Sequence, residues 1–345
     1  MRKRIFLLAA ITTLLAACAP QGPQSLTVLT HDSFAVSEDL VREFERQNNA
    51  LVHFVKAGDA GAALNQAILT KDTPLADVFY GVDNTFLSRA LEEDIFDPYV
   101  APGLESIPDA YKLDTTNRAL PVDFGDVCLN YDKAYFAEQD RAVPQSLGDL
   151  TKPEYEDLLV VEDPSTSSTG LAFLFATVAA FGEDGYQAYW SALKDNGVTV
   201  VDSWDTAYYT NFSGSSGHGA RPLVVSYSTS PAAEIVYADP PVSESPTAAI
   251  TSPGTCFRQI EFVGILNGAR NRILAEKFVV FMLSQAFQED MPLQMFVYPV
   301  LPASELPEVF TNAIEVPAEP LTMSPQDIAA GRDGWIQGWN SVMYP

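Results

Sequence analysis

The sequence is 345 residues long and carries 20 Lys plus Arg against 45 Asp plus Glu, a formal net charge of −25 at pH 7. So large an acidic excess argues against nucleic acid and against an anionic membrane surface as partners; it suits a cationic ligand, although a solvated acidic surface is the commoner explanation. The length is sufficient for two lobes, each with a core of its own.

The first eighteen residues have the pattern of a secretory signal. Three basic residues at positions 2–4 precede an apolar run from Ile5 to Ala17, which is too short to cross a bilayer and ends in Leu-Ala-Ala before Cys18. We interpret residues 1–17 as a lipoprotein signal peptide, Cys18 as the lipidated residue and 18–24 as a tether; an ordinary signal peptide with an incidental cysteine is the alternative. The protein is therefore expected in the periplasm or on the extracytoplasmic face, anchored to a membrane by its N-terminal lipid.

Strand and helix patterns then alternate along the chain, which predicts an α/β fold with a sheet covered on both faces. The first unit comprises strands at Ser25–Thr30, Leu51–Lys56 and Ala76–Tyr80, with helices at Val36–Gln47 and Ala60–Thr70. The second comprises strands at Leu158–Glu162, Val198–Val201 and Leu223–Tyr227, with helices at Leu171–Phe181, from Trp204 and from Ser230.

Two such units in series predict two lobes with a ligand crevice between them. Pro121–Asp132 and Thr255–Gly264 are the segments that would cross between the lobes, and the Pro/Ser-rich stretch Asp239–Pro253 has the composition of a loop. The helices Asn271–Gln288 and Ser324–Val342 are expected to return to the first lobe. Lobe 1 is accordingly predicted at 25–124 plus 260–345, and lobe 2 at 125–259.

Candidate ligand-binding residues follow predicted strands. The loop Asp163–Gly170 contains five consecutive hydroxyl residues at a helix start, a pattern that favours an anion such as phosphate, although a simple N-cap would use one of them. Trp204 and Tyr227 lie at strand–loop junctions, where their rings could face a flat cationic heterocycle or belong to the core.

Metal and enzyme signatures are weak. Tyr208 and Tyr209, with His31 and Asp32 after the first strand, could ligate ferric iron. The sequence contains no Gly-x-Ser-x-Gly elbow, P-loop or dinucleotide fingerprint, and the mature cysteines lack neighbours at zinc-ligand spacing. We therefore expect no metal, no cofactor and no catalytic residue.

Seven stretches in order resemble the thiamine-binding lipoproteins and periplasmic proteins of bacterial ABC importers. They are LTVLTHDSF (26–34), ADVFYGVDN (76–84), PVDFGDVCLNYD (121–132), DPSTSSTG (163–170), SWDTAY (203–208), VSYSTSP (225–231) and YPV (298–300). The resemblance implies a two-lobed type II periplasmic binding fold with a hinge. It also implies a monomeric, non-catalytic receptor that captures thiamine, thiamine monophosphate or thiamine diphosphate and delivers it to an ABC permease.

The resemblance also implies roles for particular residues. Asp59 and Ala60 would form a ligand-contacting helix start, Ser167 and Ser168 the phosphate-side hydroxyls, and Trp204 an aromatic wall. The other side would be lined by four consecutive residues, Tyr227, Ser228, Thr229 and Ser230. His31 stands where relatives carry Tyr, Phe296 where Trp is expected, and Ala233 in place of an aromatic residue, so the aromatic cage is thinner.

Three alternative functions, and the state of the two cysteines, remain open at this point. A thiaminase-like enzyme would use Cys128 as its nucleophile. A ferric-ion receptor would use Tyr208, Tyr209 and His31, and polyamines or other small cations would also suit the acidic chain. Cys128 and Cys256 could instead form a disulfide if the two crossing segments are adjacent.

Overall fold

The computed structural model describes residues 22–345, and the predicted signal peptide and Cys18 lie outside this range. The strands are β1 (Gln24–Thr30), β2 (Ala50–Lys56), β3 (Val78–Asp83), β4 (Phe96–Asp97), β5 (Leu120–Asp132), β6 (Leu159–Glu162), β7 (Thr199–Val201), β8 (Leu223–Tyr227), β9 (Thr247–Ile250), β10 (Phe257–Leu266) and β11 (Tyr298–Pro299).

The helices are α1 (Glu38–Asn48), α2 (Ala60–Leu69), α3 (Leu87–Glu92), α4 (Lys133–Glu138), α5 (Ser168–Phe181), α6 (Tyr186–Asp195), α7 (Ser230–Val236), α8 (Arg272–Met282), α9 (Gln285–Gln294), α10 (Glu308–Asn312) and α11 (Pro325–Met343). A π-helical segment spans Thr206–Asn211, and short 3-10 turns occur at Leu104–Ser106, Asp109–Tyr111, Leu147–Thr151 and Pro153–Tyr155. No helix within residues 22–345 has the length and apolarity needed to span a bilayer.

The sheet joins two parallel units through a pair of long antiparallel strands. Its order is β2-β1-β3-β10-β5-β8-β6-β7, and β1 is parallel to β2 and β3, as β6 is to β7 and β8. Between these units β10 and β5 are antiparallel, with Phe124 opposite Ile260 and Gly125 opposite Gln259. The predicted α/β class is confirmed, and the two crossing segments are adjacent, which is the condition that a Cys128–Cys256 disulfide requires. The division into lobes at these positions stays a prediction.

Helices cover both faces of the sheet because each has an apolar side to bury. On one face, Phe44 of α1 contacts Phe278 of α8 edge-on, with ring centroids 5.3 Å apart. On the other face α2, α3, α5 and α6 form the larger core, in which α5 is apolar on every side and buried over most of its length.

The closing helix α11 packs against helices of both parallel units. Trp335 lies edge-on to Phe175 of α5 at 5.5 Å, and Trp339 lies edge-on to Trp190 of α6 at 5.6 Å. Helix α11 also contacts α3. The two tryptophans lie one turn apart and form the buried face of this helix.

Two further elements differ from the sequence prediction. The single helix expected at Asn271–Gln288 is two helices, because the chain breaks at Leu283 and Ser284 restarts it by accepting a hydrogen bond from the Phe287 N–H at 3.4 Å. The expected loop at 239–253 contains strand β9, which pairs with the end of β5.

Candidate ligand-binding cavity

A cavity of about 280 Å³ lies where the carboxyl ends of parallel strands from both units meet. His31 directly follows β1, Trp204 follows β7, and Tyr227 ends β8. Open α/β sheets bind ligands at this edge because loops from adjacent strands converge there. The sequence prediction of the crevice at strand ends is consistent with this position.

One wall of the cavity is a cluster of aromatic rings. Trp204 is stacked on Tyr208, with ring centroids 5.1 Å apart and planes 17° apart, and the Tyr209 ring stands edge-on to Trp204 at 5.5 Å. The Trp204 indole N–H donates to Ser226 Oγ at 2.9 Å, which fixes the ring orientation. Trp204 thus presents an aromatic face beside the ligand space, and such faces attract cations and flat rings.

Acidic groups connect the two sides of the cavity. Asp59 accepts from the Ala60 N–H through Oδ1 at 2.6 Å and from the Trp204 N–H through Oδ2 at 2.9 Å. Asp205 Oδ1 accepts from Ser33 Oγ at 3.0 Å. Burial raises the pKa of Asp59, and the two N–H groups partly offset that rise. Residues on opposite sides are therefore joined by hydrogen bonds to carboxylates.

A buried polar network lies behind the opposite wall. The Tyr80 hydroxyl donates to Asp123 at 2.6 Å and lies 3.1 Å from a Glu261 oxygen, while His31 Nε2 lies 3.4 Å from the other Glu261 oxygen. Burial alone would lower the pKa of His31, but Glu261, Asp59 and Asp205 raise it. Burial would likewise raise the pKa of Glu261, but His31, Asp123 and Tyr80 lower it. The contact between His31 and Glu261 thus raises the pKa of the imidazole and lowers that of the carboxyl group.

The cavity as a whole is acidic and aromatic. Asp59, Asp205 and Glu261 line it, and His31 is its basic residue. Within the described part of the chain, no lysine or arginine contributes to the lining. A lining of carboxylates and aromatic faces without a lysine or arginine favours binding of a flat organic cation.

Eight of the sequence-predicted residues line the cavity: His31, Asp59, Ala60, Ser168, Trp204, Tyr227, Ser230 and Phe296. The other four support the lining without belonging to it. Asp32 accepts from the Gly58 N–H at 2.9 Å, and Ser167 Oγ lies 3.0 Å from Thr169 Oγ1. Ser228 is buried with its N–H donated to the Asp126 carbonyl, and the Thr229 hydroxyl donates to the Phe296 carbonyl.

Sequence reasoning missed several lining residues. Glu261 lies within the strand Phe257–Leu266, where nothing in the sequence indicates that its side chain faces the cavity. Tyr237 lies four residues after Ala233, hence on the same helical face, and its ring is 5.5 Å from Phe296. The four-residue spacing could have identified Tyr237 as an aromatic residue of the cavity, one helical turn after Ala233, which has no aromatic ring.

The two chemical alternatives fare differently. Cys128 is disulfide-bonded to Cys256, so of the two alternatives for these cysteines the structure has the disulfide, and the thiaminase-like alternative lacks the free thiol that it needs. Tyr208 and Tyr209 both line the cavity, but burial raises the pKa of Tyr208 well above its usual value and that of Tyr209 to about 12. Tyr208 is stacked on Trp204, and within residues 22–345 no group of three or more His, Cys, Asp or Glu side chains is placed to hold a metal ion, so this alternative gains no support.

Comparisons with known proteins place these features in context. The family model described as bacterial extracellular solute-binding protein matches residues 73–317. A protein of Salmonella typhimurium named thiamine-binding periplasmic protein is 32% identical over 335 residues, covering 96% of this chain and 97% of that protein. A protein of Escherichia coli with the same name is 32% identical over 323 residues, covering 92% and 93%. A solved structure named periplasmic thiamin binding protein matches with a TM-score of 0.81 at 27% identity, over 94% of this chain and 97% of that one.

Proposed function

The chain belongs to the bacterial extracellular solute-binding protein family, and from this membership we propose that it is a receptor for an ABC importer that captures thiamine or thiamine phosphates outside the cytoplasm. The fold predicted from the sequence, that of a two-lobed type II periplasmic binding protein, is confirmed by the likeness to solved periplasmic binding proteins. The proposed partner is the permease of the same importer.

The observation that carries this proposal is the pairing of an aromatic wall with fixed carboxylates. Thiamine joins a permanently cationic thiazolium ring to a flat aminopyrimidine, so it needs ring faces and negative charge together. Trp204 supplies a ring face, while Asp59 and Glu261 supply the charge from the other side. A cavity of about 280 Å³ is close to the lower end of ligand-pocket volumes, as suits a vitamin-sized molecule.

Ligand capture would work by closure of the crevice. Hydrogen bonds that span it include those from Trp204 N–H to Asp59, from Ser33 to Asp205, and from Gly61 N–H to the Thr166 carbonyl at 3.0 Å. A ligand that contacts both sides binds the closed form more tightly than the open one and so shifts the population towards it. The closed form would then present the surface that the permease recognises, with no covalent chemistry at the cavity.

Anchoring, location and assembly complete the proposal. Cleavage before Cys18 and lipidation of its thiol would tether a monomeric receptor to the membrane from the periplasmic or extracytoplasmic side. The relatives named periplasmic support the location. Mass spectrometry of the mature protein tests the anchor: an N-terminal diacylglyceryl-cysteine at residue 18 is expected, and an unmodified N-terminus would refute it.

Isothermal titration tests the ligand. Residues 19–345, which contain every described element, should bind thiamine at one site with submicromolar affinity, and the recovered vitamin should be chemically unchanged. Absence of heat with thiamine and with both of its phosphates would refute the proposed function. Formation of free thiazole would instead indicate an enzyme.

A further inference from the structure

The ring of Tyr227, which lines the cavity, lies across the two central strands of the sheet. Tyr227 ends β8, which pairs with β5, and β5 in turn pairs with β10. A Cβ added at Gly125 of β5 would lie 2.8 Å from Tyr227 Cδ1 and 3.1 Å from Cε1, so the ring packs directly on the backbone there. The Tyr227 hydroxyl reaches one strand further and donates to Gln259 Oε1 of β10 at 2.8 Å. The ring is therefore held along its side by Gly125 and at its end by Gln259.

Gln259 is fixed in turn by a buried acid. Its Nε2 donates to Oδ2 of Asp83, the last residue of β3. Asp83 Oδ1 accepts from the Thr85 hydroxyl at 2.6 Å, from the Thr85 N–H at 3.2 Å and from the Phe86 N–H at 3.3 Å. Burial raises the pKa of Asp83 to about 7, although Thr85 and Gln259 lower it, so above that pH Asp83 is a carboxylate that only accepts. The Gln259 amide then turns its nitrogen to Asp83 and its oxygen to Tyr227.

Gln259 and Asp83 lie behind the cavity wall and do not belong to it. Gln259 is 1% exposed, Asp83 is fully buried, and neither lines the cavity. The side-chain polar atoms of Tyr227, Gln259 and Asp83 all have hydrogen-bond partners. A buried network that is fully satisfied holds its members in one arrangement, so this one can fix the orientation of the ring at its end.

We propose that Gln259 is a positioning residue for ligand binding: anchored by Asp83, it holds the Tyr227 ring on Gly125 in the orientation that the ligand meets; the inference rests on the proposed function. Without the hydrogen bond from its hydroxyl, the ring could turn about its two side-chain torsions. Ligand binding would then have to order the ring again, and that ordering lowers affinity.

Titration of residues 19–345 with thiamine at pH 8, where Asp83 is ionised, tests the inference in the wild type, Gln259→Met, Tyr227→Phe and the double variant. Met keeps the length of Gln without its polar atoms, and Phe keeps the ring without the hydroxyl. We expect each single substitution to raise Kd about fivefold and the double variant to raise it no further, because both remove the same hydrogen bond. A wild-type Kd in Gln259→Met, or effects that multiply in the double variant, would overturn the inference. If the wild type binds neither thiamine nor its phosphates, it is the proposed function that fails.

Gln288→Met is the matched control for loss of stability. Gln288 is also fully buried, and its Nε2 donates to the Val122 carbonyl at 2.7 Å, but it does not line the cavity. Its replacement should lower the Tm, as Gln259→Met does, while Kd stays at the wild-type value. An equal rise of Kd in the two variants would make the weaker binding a consequence of destabilisation and would overturn the positioning role.

A second variant displaces the Tyr227 ring without altering Gln259, and it decides the question even if Gln259→Met does not fold. The Cβ introduced by Gly125→Ala would lie 2.8 Å from Tyr227 Cδ1 and so push the ring from its place. Kd should rise about fivefold or more in Gly125→Ala, but by less than about twofold when Gly125→Ala is added to Tyr227→Ala, which has no ring to displace. A wild-type Kd in Gly125→Ala would show that the position of the ring does not determine affinity and would overturn the inference.

Discussion

The two sides of the cavity are supported in different ways. Glu261 lies within the long strand β10 and is fixed from behind by Tyr80 and Asp123, whereas Trp204 precedes a π-helical segment of six residues and is held by a few side-chain contacts. Substitutions on the side that contains Glu261, which is built on the central strands, should change the stability of the protein and the charge of the site. Substitutions on the side that contains Trp204, which precedes a short helical segment, should change ligand affinity and closure of the crevice. Stability and affinity are therefore expected to respond to different substitutions.

Breaking the disulfide should separate the two properties most clearly. Cys128 and Cys256 join β5 to the start of β10 across 128 residues of sequence, so removing the bond enlarges the conformational freedom of the unfolded chain. For the Cys128→Ala/Cys256→Ala double variant we expect the free energy of unfolding to fall by about 3 kcal/mol. Denaturant titration, with and without a reductant for the wild type, measures this loss.

Neither cysteine lines the cavity, so the Kd for thiamine in the double variant should stay within about twofold of the wild-type value under native conditions. A large loss of affinity with unchanged stability would contradict the conclusion that this bond stabilises the fold and does not contribute to ligand binding.

Trp204→Ala should show the opposite behaviour. The substitution removes the ring stacked on Tyr208 and the face offered to the ligand, which together should weaken thiamine binding by about 2 kcal/mol, or roughly thirtyfold. Calorimetric titration measures the loss. Trp204→Phe keeps an aromatic face and should recover most of the affinity; equal losses in the two variants would show that the ring face is not what binds.

The fold was predictable where local pattern decides the structure. Alternating apolar strands and helices fixed the α/β class, and Asp59 was recognisable as the cap of α2. Strand β9 could not be recognised in a Pro/Ser-rich stretch because it forms only by pairing with β5. The break between α8 and α9 could not be recognised because the spacing of apolar residues continues across Ser284, which caps the second helix. Tertiary pairing and a capping side chain decided those two places.

The candidate site was predictable only in part. Trp204 and Tyr227 could be found because Trp204 follows β7 and Tyr227 ends β8, and these strands converge at one edge of the sheet. Ser167 was assigned to the ligand although its hydroxyl faces Thr169, since a run of hydroxyl residues does not reveal which of them points outward. The acidity of the cavity could not be foreseen, because Asp205 and Glu261 are distant in sequence and meet only in the folded chain.

Closure itself can be tested at Gly61, where the two sides of the cavity touch. A Cβ at this position would lie 2.6 Å from the Thr166 carbonyl oxygen and 2.9 Å from Phe86 Cζ, so Gly61→Ala should prevent the crevice from closing fully. We expect thiamine affinity to fall by about tenfold, equivalent to ~1.4 kcal/mol. Gly334→Ala meets no atom within 4 Å and is the matched control, for which the same titration should give the wild-type Kd. Wild-type affinity in Gly61→Ala would show that this contact is not part of the closed state.

The smallest expected effect concerns the proton on His31. In the free protein the pKa of His31 is raised above 6.5 because Glu261, Asp59 and Asp205 outweigh its burial, with Tyr80 packed 5.8 Å from its ring. A bound cation competes for the same carboxylates and lowers that pKa, so binding releases protons and thiamine affinity should increase severalfold as pH rises through the raised value.

Titrations in buffers of different ionisation enthalpy measure the protons released, up to one per ligand. His31→Gln should abolish the release, while His53→Gln, an exposed residue of β2, should retain it. Proton release that survives in His31→Gln would assign the titration to Asp59 or to another buried carboxylate. Glu261, Tyr80 and Asp123 would then affect thiamine binding only through a charge that does not change with pH.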